Sequence, residues 1–117
     1  MNICTPLFYK KFIRDSYGCI KGRGIVTANK RIAKTIKKFS NYYFLQIDIK
    51  KCYDSIDHNI LKNILKSTFK DKKVLNLFDK IIDVMDKGLA IGVYPSQSLE
   101  NLYLNSVDHY IKEVLKV

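Results

Sequence analysis

No stretch of this 117-residue sequence is apolar for long enough to cross a bilayer, and its opening, MNICTPLFYKKFIR, brings two lysines and an arginine before any run that could act as a signal peptide. A soluble protein with no membrane partner is therefore expected. Cysteine is scarce as well: Cys4, Cys19 and Cys52 are an odd number, widely spaced, with no C-x-x-C pair. That argues against both a disulfide framework and a zinc site, and a reducing, cytoplasmic setting fits. There are no internal repeats, no Gly/Ser-rich linker and no low-complexity tract, so no domain boundary shows inside the chain.

Acidic residues are few. Against 21 Lys plus Arg stand 11 Asp plus Glu, a formal charge of +10 that favours polyanionic partners such as nucleic acid. The imbalance is local: residues 1–50 hold 11 basic and 2 acidic side chains, net +9, whereas residues 51–117 hold 10 and 9, net +1. With 47% hydrophobic residues the chain can bury one core of ordinary size and no more, which excludes multidomain machinery.

Periodicity supplies the elements. A short helix is expected after Pro6, ending at the glycine-broken loop SYGCIKGRG, which carries Lys21 and Arg23. From about Thr27, Ala28, Ile32, Ala33, Ile36 and Phe39 recur at helical spacing while Lys30, Arg31, Lys34, Lys37 and Lys38 fill the other faces, giving an amphipathic basic helix. YYFLQIDI, residues 42–49, has the aromatic and β-branched composition of a buried strand. Asp57 is placed to cap a helix with the stripe Ile60, Leu61, Ile64 and Leu65, and Ile56 can staple onto Leu61. A further helix from near Asp71 runs through Val74, Phe78, Ile82 and Met85, with Gly88 set to end it. Ser96 can cap a last helix burying Leu99, Leu102, Tyr103, Tyr110, Ile111, Val114 and Leu115.

Two places could carry chemistry. Asp48 is an acid in an otherwise apolar strand, where an ionised carboxylate is costly unless paired or bound to metal. Read alone, it is a strand-end aspartate paired with Lys50 or Lys51 more often than a metal ligand, and Asp54 and Asp57 are turn and cap residues. In KGLAIGVYPSQSLENLYLNSVDHYI, residues 87–111, a glycine loop precedes a helix whose free N–H groups suit phosphate; read alone, it is also an ordinary helix start.

Together the two are more specific. FLQIDIKKCYDSIDHNIL resembles the first catalytic palm motif of reverse transcriptases, an aspartate at a strand end followed five positions later by an aromatic residue. GLAIGVYPSQSLENLYLNSVDHYIKE, some forty residues on, resembles that family's next motif. SYGCIKGRG and its basic helix resemble the preceding segment in bacterial enzymes of the group II intron and diversity-generating retroelement kinds. Ile91 for the glutamine and Gln97 for the proline of the common second motif match the retroelement variant, from which Pro95 departs. The resemblance runs over roughly residues 5–115.

It implies an α/β (α+β-like) fold, a single partial palm and fingers domain over residues 1–117, mostly helical around a short central strand at 42–49, with a fingers-like basic part at 1–41 and a palm-like part at 42–117. It implies that Asp48, with the backbone carbonyl of Ile49, binds Mg2+ for two-metal nucleotidyl transfer. Tyr53 would be the steric gate that excludes a ribose 2′-hydroxyl, Ile91 and Gly92 would shape the dNTP pocket, and Ser96 and Gln97 would support that loop. Lys21, Arg23, Lys30, Arg31, Lys34, Lys37 and Lys38 would follow the phosphates of an RNA template and DNA primer.

The family's second carboxylates come from a Y-x-D-D hairpin, and no Asp-Asp pair occurs here. A central slice of fingers and palm, inactive alone, is expected. The alternative is a non-catalytic basic module that binds RNA or DNA. In either case a partner is expected on its apolar surface: the missing part of the polymerase or a self-associated copy.

Overall fold

The computed structural model describes residues 3–39, 41 and 43–117. Among them all regular structure is helical: α1 (Thr5–Lys11), α2 (Ile25–Lys38), α3 (Cys52–Ser55), α4 (His58–Thr68), α5 (Lys72–Ile82), α6 (Tyr94–His109) and a π-helical turn (Tyr110–Val114) that continues α6. The expected α/β class is thereby corrected to all-α. Of the strand expected at 42–49, Tyr42 lies outside the described residues, and 43–49 adopt no regular structure. The reason is physical. A strand is made by a neighbour's hydrogen bonds, and the described residues offer no ladder, only an isolated bridge between Ile20 and Arg23. The side chains that should have been buried are open instead: Phe44 is 82% and Ile47 70% exposed.

The helices start where their caps dictate. Pro6 sits in the first turn of α1, where its missing N–H costs nothing. Asp57 caps α4 by accepting from the Ile60 N–H at 3.0 Å, and Asp71 caps α5 by accepting from the Lys73 and Val74 N–H groups at 2.7 and 3.2 Å. Two expected boundaries move. α5 stops at Ile82, six residues short of Gly88, with Asp83 as its C-cap and the Asp83 carboxylate on Lys62 of α4. α6 begins at Tyr94 with Val93 as its N-cap, so Ser96 lies inside the helix and caps nothing. At the other end Tyr110, Val114 and Leu115 are exposed, against the burial expected of them.

The chain forms two compact units, residues 1–13 with 51–117, and residues 14–50. In the first, α6 packs on α4 and α1, and α5 on α4. Their shared core holds Phe8, Ile56, Leu61, Leu65, Ile82, Leu99 and Leu102, each almost fully buried. Phe8 anchors an aromatic group, its ring centroid 5.4 Å from Phe69 and 5.9 Å from Phe78, both edge-on, the geometry that ring quadrupoles favour. In the second unit α2 separates its residues as expected, yet none of them is buried.

Candidate nucleotide and nucleic-acid site

Tyr53, on α3, is held at both ends. Its backbone carbonyl accepts from the Leu89 N–H at 3.0 Å, and its hydroxyl lies 2.7 Å from Gln97 Oε1 on α6. The direction of the second bond follows from chemistry. Gln97 Nε2 is 2.8 Å from Glu100 Oε2 and 3.5 Å from Asn101 Oδ1, and a carboxylate only accepts, so the amide nitrogen must face Glu100 and the amide oxygen Tyr53. The Tyr53 hydroxyl therefore donates. Tyr53 and Gln97, distant in sequence, form one half-buried polar contact.

The glycine loop is tied down from both sides of its tip. Ser96 is 3% exposed, and its hydroxyl donates to the Ala90 carbonyl at 2.7 Å, closing the loop over residues 90–96. Ile91, 80% exposed, and Gly92 stand at that tip. Gly92 has φ +82°, and a Cβ there would meet nothing within 4 Å, so its glycine is required by backbone sign and not by space.

Three contributors escaped sequence reasoning. Gly88, read only as a helix terminator, presses against α3: a Cβ on it would lie 2.4 Å from the Tyr53 carbonyl oxygen, and its N–H donates to Ile56 O at 3.2 Å. His58 Nε2 lies 2.7 Å from the Gly88 carbonyl, an acceptor, so that nitrogen carries a proton. Lys62 grips Asp83 at 2.6 and 2.7 Å and holds its carboxyl below the usual aspartate range; burial opposes this, and His58, 3.6 Å away, assists. The positive φ at Gly88 was inferable from sequence; its pressure on Tyr53 was not, because that contact joins residues far apart in the chain.

Asp48, Ile49 and the basic positions belong to the second unit. Asp48 is exposed and, among the described residues, has no ion pair with Lys50 or Lys51. Among the described residues no three His, Cys, Asp or Glu side chains converge as a metal site. Asp48 and the Ile49 carbonyl would offer two oxygen donors of the hard kind that magnesium takes, with the rest of its shell left to water and phosphate. Lys30, Lys34, Lys37 and Lys38 are exposed along α2, with Lys38 5.6 Å over the Phe39 ring. Lys21 is exposed, and Arg23 donates to the Arg14 carbonyl at 3.4 Å. Arg31 holds Asp15 with its Nε and Nη2 at 3.1 and 3.4 Å, and that contact raises its already high pKa.

The chain is 32% identical to the "Putative COX1/OXI3 intron 2 protein" of Saccharomyces cerevisiae over 65% of its length. It is 31% identical over 86% of its length to "Nuclear intron maturase 1, mitochondrial" of Arabidopsis thaliana, and 29% identical over 96% to the "Uncharacterized 91 kDa protein in cob intron" of Schizosaccharomyces pombe. It spans 10 to 15% of these relatives' own lengths. No family model matches, and neither does any solved structure. No helix among the described residues is long and apolar enough to cross a membrane. All three relatives are named for an intron, and one of them as an intron maturase.

Proposed function

We propose that this chain is part of an intron-associated, reverse-transcriptase-like protein that binds RNA through the lysine face of α2. The observation that carries the reading is the similarity to an intron maturase over 86% of the chain, joined to that exposed basic helix. Asp48 supplies one carboxylate toward a magnesium centre completed in the longer protein, over a DNA primer, while Tyr53 with the loop at Ile91 and Gly92 meets the sugar of a dNTP already in this chain. The isolated chain gives no magnesium-dependent primer extension; robust extension lost in Asp48→Asn would overturn that. For RNA, Lys30→Glu, Lys34→Glu and Lys37→Glu together lower affinity, measured by titration with a labelled single-stranded RNA. Unchanged affinity in the triple variant would remove α2 from the reading.

A second reading, a basic RNA-binding module without catalysis, rests on the exposed lysines of α2 alone. Primer extension by the longer protein, lost on Asp48→Asn, separates the two.

A further inference from the structure

We infer that Gln97 is the positioning residue of the Tyr53 gate, and that sugar selection depends on the hydrogen bond between them. This deepens the nucleotide-site reading and rests on it. A steric gate discriminates only as far as its ring refuses to move, since a 2′-hydroxyl that can push the ring aside pays no more than the cost of that displacement. Tyrosine turns about two side-chain bonds, so a ring fixed only at its backbone can still swing. In this chain the swing is blocked at the far end, where the hydroxyl donates to Gln97 Oε1 at 2.7 Å. Gln97 is itself oriented, because its amide nitrogen is engaged by Glu100 at 2.8 Å and Asn101 at 3.5 Å, three and four residues further along α6. The series Glu100, Gln97, Tyr53 thus transmits the rigidity of a sixteen-residue helix to a side chain on a four-residue one.

The near end is fixed independently, by Leu89 N–H on the Tyr53 carbonyl and by the close approach of Gly88. Loss of the Gln97 contact therefore removes this hold on the hydroxyl without releasing the backbone. Gln97 touches no sugar in this account. It determines how hard the gate resists one, and its removal changes the preference between dATP and ATP more than the affinity for dATP.

The test uses the whole chain with its tyrosine rings labelled for NMR, titrated with dATP and with ATP in magnesium buffer. Wild type is expected to bind dATP more tightly than ATP. Gln97→Met, which keeps length and packing but accepts no such bond, should narrow that preference by a factor of about 2 to 12, the worth of one hydrogen bond. It should also speed the flipping of the Tyr53 ring. Tyr53→Phe removes the donor from the other side and should narrow the preference equally, and the double variant should add nothing to either. A wild-type preference left intact in both single variants overturns the inference while the nucleotide site stands. No preference in the wild type overturns both.

Discussion

At the scale of single residues, the positions that matter most are those where backbone geometry and contact leave one amino acid acceptable. Gly88 has φ +75° and no room for a Cβ against the Tyr53 carbonyl. Gly88→Ala should therefore cost about 1–3 kcal/mol, from the left-handed conformation and from the displaced backbone. Urea denaturation followed by tyrosine fluorescence would measure it, and a loss below the noise would mean the turn relaxes freely. His109 makes a different demand. Its Nδ1 lies 2.6 Å from Glu113 Oε1 and its Nε2 2.8 Å from the Lys11 carbonyl. Both partners accept, and only the imidazolium donates from both nitrogens. Its pKa is raised, first by the Lys11 carbonyl and then by Glu113, with Asp108 adding a little. A raised folded value means that the clasp between α6 and α1 is at full strength below the ordinary value of about 6.5 and is lost as pH rises through the folded value. Stability should fall across that window in the wild type and stay flat in His109→Gln, read as thermal midpoints over a pH series.

At the scale of elements, what was legible in the sequence is what local chemistry determines. Asp57 and Asp71 cap their helices as their spacing announced, because a cap is satisfied within three residues of itself. α2 was legible for the same reason, since its apolar and basic positions separate at helical period. The strand at 42–49 was not, although its composition is β-like. Pairing is a property of a neighbour, and nothing within YYFLQIDI says whether one is in reach. Ser96 illustrates a smaller miss: a serine near a helix start reads as a cap, but Pro95 already suits the first turn, and the hydroxyl turns back to Ala90. The Tyr53–Gln97 contact was half legible, in that both were singled out for the same site, while their bond joins elements whose packing only the fold reveals. The helical core itself is anchored by Phe8, fully buried and edge-on to Phe69 and Phe78. Phe8→Ala should destabilise the unit by about 3–5 kcal/mol, since a large cavity opens where α1 meets the core. A chemical-denaturation midpoint unchanged in that variant would show that α1 is peripheral.

At the scale of the whole molecule, charge and core are divided. Residues 1–50 carry nearly all of the net positive charge, and α2 within them buries none of its side chains, while the well-packed helices of residues 51–117 are close to neutral. The lysines of α2 are therefore not engaged in holding a core together, and their field is available to a polyanion. Binding of that kind is recognised by its salt dependence, because each phosphate neutralised releases counterions into solution. The most direct measurement is the affinity of this chain for a single-stranded RNA across a series of salt concentrations. A lysine face that follows phosphates predicts a straight line of log affinity against log salt with a slope of about −0.7 for each phosphate engaged, and so about −2 to −3 for the lysines at positions 30, 34, 37 and 38. An affinity that does not change from low to high salt would contradict the account.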